Sequence, residues 1–223
     1  YGSYVMEQVL FKISFPAEFH AQTAVECAFQ LNKEVGSKLQ TLEQIAQIDK
    51  IVITTHESAI RIIDKTGPLD NPADRDHCIQ YMAAVGLLKG SLTAQDYEDA
   101  AAADARIDAL RAKMTCVENT QYTKDYHDPE KRSIANAIQI FFKDGSTSSN
   151  TAVEYPIGHR RRRGEGIPEL VKKFKVNLAR RFDAKKQNEI LALCLDQAKL
   201  EATSVHTFVD LLTVWIRTVN VNS

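Results

Sequence analysis

Two side-chain periodicities alternate along this chain in no fixed order, and that limits the folds open to it. Ala24, Ala28, Leu31 and Val35 recur at steps of four, three and four, one face of a helix over 21–35 that Gly36 ends. KIVITT at 50–55 is β-branched and alternating and reads as a strand, with ESAIRIID after it as an extension or a bend. Cys78, Met82 and Val85, with Tyr81 and Leu88 alongside, then form a helical stripe that stops near Gly90. Thr93 is placed to cap a short helix ending in the alanine run, and Asp104 to cap another that buries Ile107, Leu110 and Met114. In NAIQIFFKDGSTSSNTAVEYP, Ile138, Ile140 and Phe142 share a strand face, Asp144-Gly145 supplies a turn, and Val153 and Tyr155 continue a second strand of a β-hairpin. Pro168 suits a first helical turn ahead of Leu170, Phe174 and Leu178, and a further helix runs through Ile190, Leu191 and Cys194. Helices and strands mixed in this irregular way predict an α+β fold, with a small sheet and packed helices, rather than a doubly wound parallel sheet.

At 223 residues with 44% hydrophobic side chains, the chain has ample material for a packed core. Its formal net charge of -1 conceals an asymmetry: from His159 to Lys186 eleven Lys and Arg face three acids, a local excess of eight, which leaves about minus nine elsewhere. Such a block implies an anionic partner or pairing within the protein. Cys27, Cys78, Cys116 and Cys194 are scattered, without the spacing of a zinc or iron-sulfur site. With no sequon, no signal peptide and no apolar run near 18 residues, the expectation is a reducing compartment and no membrane. The start at Tyr1 reads as a piece of a longer protein.

Three stretches carry more ionisable residues than their elements require. In FKISFPAEFHAQTA, Lys12 precedes a possible strand, while Glu18, His20 and Thr23 flank a helix start, where backbone N–H groups favour an anion. In GPLDNPADRDHCIQY, Pro68 and Pro72 fix the approach to a helix and Asn71 or Asp74 caps it, which leaves Arg75, His77 and Tyr81 without a structural reason. In YPIGHRRRRGEGIP, Arg160 to Arg163 are a solvated loop or an anion site. The basic block would also suit a phosphate-tracking nucleic-acid surface, but no helix-turn-helix, zinc-finger or RNA-motif signature accompanies it.

Read in order, FKISFPAEFHAQTAVE, RIIDKTGPLDNPADRDHCIQYM, LTAQDYED, RIDALRAKM, DYHDPEKRSIANAI, VEYPIGHRRR and GIPELVKKFKVNLAR resemble the MmgE/PrpD family from about Val9 to Asp210. The resemblance covers the second half of that fold: an α+β lid over 1–160 and a helical segment over 161–223 that packs on an absent all-helical domain. The end, LLTVWIRTVNVNS, departs from the pattern.

The resemblance implies a hydro-lyase that dehydrates 2-methylcitrate to 2-methyl-cis-aconitate in propionate breakdown, with no cofactor and no iron-sulfur cluster. A cis-aconitate decarboxylase of the same family is the alternative. It further implies a homodimer acting on a tricarboxylate, no nucleic-acid partner, and location in the cytoplasm, or in the mitochondrial matrix of a eukaryote. Lys12, in the family's lysine-then-proline segment, is the leading candidate for substrate contact or proton transfer, and His20 matches a histidine of that segment. Water removal needs a base for the carbon-bound proton, an acid for the hydroxyl and cations for the carboxylates. His77 and Tyr81 are candidates for the proton transfers, and Arg75, Asn71, Arg160 and Arg161 for substrate binding.

Overall fold

The computed structural model describes residues 15–213, so Lys12 and residues 214–223 lie outside the described residues. The described chain divides into two compact units, with the boundary between Gly166 and Ile167.

The first unit is built around β1 (Ile48–Thr55), the inner strand of a four-stranded sheet ordered β2-β1-β3-β4. β2 (Met114–Glu118) pairs with it in parallel, Ile51 opposite Met114. β3 (Asn136–Phe142) and β4 (Thr151–Val153) form the expected hairpin, and β3 lies antiparallel to β1 with Ile53 opposite Ile138. Gly145 at φ +86° makes the turn. Alternation places Ile51, Ile53, Ile138 and Ile140 on one face, all fully buried.

Helix α1 (Gln22–Val35) covers that face near β3 and β4, burying Ala24, Ala28, Leu31 and Val35 as their spacing predicts. The remaining connections in this unit are short: α2 (Leu42–Ile45) precedes β1, α3 (Glu57–Ile63) follows it, and α4 (Pro72–Asp76) leads into α5 (Ile79–Lys89). α5 packs between α1 and a later helix, and every residue from Ile79 to Leu88 is buried. The stripe seen in the sequence is thus part of a helix enclosed on all sides. It ends at Gly90, φ +65°, a left-handed cap.

Four local expectations need correction. ESAIRIID is α3 rather than an extension of the strand. His56 Nδ1 accepts the Ala59 N–H at 3.3 Å and Glu57 lies in the first turn, while Ala59 and Ile63, four apart, face the core. That cap and spacing outweigh the β preference of the isoleucines. After a 3-10 turn at Ala94–Tyr97, where Thr93 and Asp96 form a capping box, the alanine run makes its own short helix, α6 (Asp99–Ala102). α7 (Ala105–Arg111) then buries Ile107 and Leu110 as expected but stops before Met114, which opens β2 instead. Pairing with β1 decided that segment. α8 (Thr120–His127) follows β2.

In the basic segment, α9 (Arg163–Leu178) starts five residues before Pro168, which therefore lies inside the helix. A 3-10 turn at Arg160–Arg162, capped by His159, leads straight into it, so the helix begins ahead of the proline. In the second unit α10 (Ala184–Cys194), α11 (Gln197–Ala202) and α12 (Val205–Leu211) complete the described chain. Leu178, Ile190 and Leu191 form its small core, with Phe174 and Phe182 against them.

The approach of α1 to α5 is close because of Gly86, where an added Cβ would stand 2.8 Å from the Ala28 Cβ. Gly86→Val should therefore cost about 1–3 kcal/mol by overpacking, read as a lower urea midpoint. An unchanged midpoint would mean that the two helices part freely.

Candidate active site

Because β1 and β2 are parallel, their C-terminal ends lie along one edge of the sheet, the usual place for a ligand site beside parallel strands. His56 follows β1 there, α8 follows β2, and the Asn119 N–H donates to the Thr55 carbonyl at 2.8 Å. β3, running the other way, begins at the same end with Asn136.

His20 is brought to this edge by the 3-10 turn Phe19–Ala21 that precedes α1, and is 7% exposed. Glu18 caps the turn. One carboxylate oxygen accepts the His20 N–H at 2.7 Å, and the other lies 2.9 Å from His20 Nδ1. Burial raises the Glu18 carboxyl, but the hydrogen bonds and charge of His20, with a smaller effect of His77, bring it below its ordinary value. Glu18 is accordingly ionised at neutral pH and only accepts, so His20 Nδ1 carries the hydrogen and Nε2 is left to accept. The Tyr126 hydroxyl, 3.1 Å away, is the donor to Nε2. Asn136 Nδ2 fixes the backbone by donating to the His20 carbonyl at 2.8 Å.

The Tyr126 ring stacks on His56, with centroids 4.5 Å apart and planes inclined by 11°. His56 is fully buried, and since its Nδ1 accepts from Ala59, its hydrogen lies on Nε2, which has no partner. Thr55 Oγ1, Ser133 Oγ and Asn136 Oδ1, at the same end of the sheet, are likewise buried without partners. Arg132 beside them holds φ +48°, a left-handed conformation uncommon for a side chain of its size. Unsatisfied polar atoms and backbone strain at one place mark a site kept for something other than stability.

The residues singled out in the sequence fall into separate groups. His77 is exposed, with Nδ1 2.5 Å from Asp76 Oδ1, and lines a cleft of about 480 Å³ together with Glu18 and Glu98. His77 thus shares the cleft with Glu18, while His20 bonds to Glu18 directly. Among the described residues, the ionisable groups lining this cleft are Glu18, Asp76, Glu98 and His77.

Arg75 and Tyr81 lie together elsewhere. Arg75, 5% exposed, donates to the Tyr97 carbonyl at 2.7 Å and pairs with Asp99 at 2.8 Å. Tyr81, 2% exposed, donates to the Asp96 carbonyl at 2.6 Å, and burial pushes its phenol up to about 12. Both therefore hold the 3-10 turn at Ala94–Tyr97. Asn71 caps α4, accepting the Asp74 N–H at 3.0 Å. Arg160 and Arg161 both donate to the Glu130 carbonyl, at 3.3 and 2.8 Å, and Arg161 lies over the Tyr155 ring. Arg162 pairs with Glu26 at 2.7 Å and with Glu165 at 2.9 Å.

Sequence reasoning placed Glu18 near His20 as helix-start chemistry but missed its bond to the ring, for which its position two residues earlier is the available signal. Tyr126 and His56 had none, because no spacing along the chain links residues 20, 56 and 126.

Residues 15–197 match the family model described as the MmgE/PrpD C-terminal domain. The chain belongs to the MmgE/PrpD family. It is 59% identical over 214 residues to the 2-methylcitrate dehydratase of Salmonella typhimurium, covering 96% of this chain and 44% of that protein. It is 60% identical over 214 residues, with the same coverage, to the 2-methylcitrate dehydratase of Escherichia coli K12. A mitochondrial 2-methylcitrate dehydratase of Yarrowia lipolytica is 57% identical over 192 residues, 86% of this chain and 36% of that protein. The chain therefore spans less than half the length of these relatives. The MmgE/PrpD match includes Glu18, His20, His56 and Tyr126 and begins three residues after Lys12.

Burial, with His20 and His127 adding to it, lowers His56 from 6.5 to about 4. The unfolded chain takes up a proton near pH 6.5 that the folded chain refuses until about pH 4, so acidification across that window favours unfolding. The thermal midpoint should fall between those pH values, and fall less in His56→Phe. Equal pH dependence in both proteins would overturn this.

Proposed function

We propose that this chain is the C-terminal part of a 2-methylcitrate dehydratase, a hydro-lyase that removes water from 2-methylcitrate to give 2-methyl-cis-aconitate in propionate catabolism. The identity of about 60% to curated dehydratases over 96% of the chain carries the reading. In it, residues 1–160 are the lid, 161–223 return to a helical domain supplied by the preceding half, and the whole enzyme is a homodimer. Its place is the cytoplasm of a bacterium or the mitochondrial matrix of a eukaryote.

The local chemistry suits a proton-transfer role for His20. Glu18 holds the Nδ1 hydrogen and stabilises the imidazolium formed when Nε2 takes up a proton, which is how a positioned carboxylate makes histidine an effective base. Lys12, His77 and Tyr81 stay in this reading as proton-transfer candidates beside His20, and Arg75, Asn71, Arg160 and Arg161 as substrate-binding candidates. Among the described residues the nearby cleft is lined by acids, so this reading looks to Lys12, Arg160, Arg161 and the other half for the cations that hold a tricarboxylate.

Lid closure against the other half would complete the site and exclude water. The chain alone should therefore be inactive and the full-length protein active, followed by the ultraviolet absorbance of the unsaturated product. In the full-length protein His20→Gln should lower kcat by roughly 10²–10⁴, the usual contribution of a general acid or base. Turnover by the chain alone would sink the divided site.

A further inference from the structure

We propose that the side chain meeting the reacting carbon is Tyr126, with His20 and Glu18 behind it as its proton reservoir and His56 as a positioning residue beneath its ring. The inference rests on the hydro-lyase reading above.

Geometry points away from His20 itself. Its Nδ1 is engaged by Glu18 and its Nε2 by the Tyr126 hydroxyl, so neither nitrogen is free to meet a substrate while these bonds stand. Tyr126 is only partly buried, whereas His20 is 7% exposed. The two ends of the Glu18–His20–Tyr126 chain are both partly exposed, and since Glu18 is ionised the phenol is the end that carries a proton to relay. Two features hold the phenol in place. The loop after α8 turns back through Ser133, whose N–H donates to the Asp125 carbonyl at 3.2 Å, and Lys131 of that loop pairs with Asp125, the residue before Tyr126, at 2.7 Å. His56, fully buried and stacked at 4.5 Å, fixes the ring without taking a hydrogen bond from it. The other titratable groups about Tyr126 are His127, whose ring lies 5.1 Å away, and the Asp125–Lys131 pair.

The proton count closes within the chain of three. The phenolic proton moves to His20 Nε2 as the tyrosine oxygen takes the proton from the substrate carbon. The electron pair left on that carbon becomes the C=C bond as the C–O bond breaks. Tyr126 then gives its proton to the departing hydroxide, forming water, and recovers its own from the imidazolium. Glu18 stays ionised throughout and balances the transient charge.

The test uses full-length enzyme. Tyr126→Phe should lower kcat by roughly 10²–10⁴ with KM within about three-fold and an unchanged thermal midpoint. Replacing Tyr126 by a fluorotyrosine of lower phenol pKa should shift one limb of the kcat–pH profile toward acid, a response no packing role would give. His56→Ala should lower kcat, and His56→Phe, which keeps a stacking ring, should restore most of it. If His20→Gln abolishes turnover while Tyr126→Phe keeps kcat within three-fold, His20 meets the substrate directly and the proposal fails. If both variants stay active, it is the placement of the chemistry at His20 that fails.

Discussion

Strand β1 is hydrogen-bonded along both edges, and the rest of the first unit depends on that double pairing. From Ile51 to Thr54, where both edges are paired, the sequence is β-branched and the inward side chains, Ile51 and Ile53, are wholly buried. Parallel pairing on one side forces a long helical connection back to β2, and antiparallel pairing on the other brings the start of β3 beside the end of β1. Three chain segments from distant parts of the sequence are thereby delivered to one edge. The turn carrying His20 reaches the same edge because α1 must lie across the β3 and β4 side of the sheet.

Buried polarity is handled in two ways within this frame. Around the 3-10 turn at Ala94–Tyr97, Arg75, Tyr81 and Lys89 bond to carbonyls or to Asp96, and one buried atom there, Arg75 Nε, lacks a partner. Around His20 the bonding is incomplete: the ring is fixed at both nitrogens, yet four neighbouring polar atoms lack partners. Saturated networks hold structure together, whereas partly unsatisfied ones persist where function retains them. The contrast separates residues that look alike in the sequence, such as His20 and Arg75.

The sequence by itself determined the periodic elements, the α+β class, the hairpin and its turn, and the family, because these depend on local spacing and on long ordered matches. Helix α1 and strand β1 were legible for that reason, as was the capping role of Asn71. ESAIRIID and Met114 were misread because a cap and a strand pairing, contacts made outside each segment's own periodicity, overrode local preference. His20 was found through the resemblance, while the bond from its ring to Glu18 and its contacts with Tyr126 and His56 were decided only by tertiary structure. Those contacts join residues 18, 20, 56 and 126 through the pairing of strands, and no periodicity along the chain encodes a distance across a sheet.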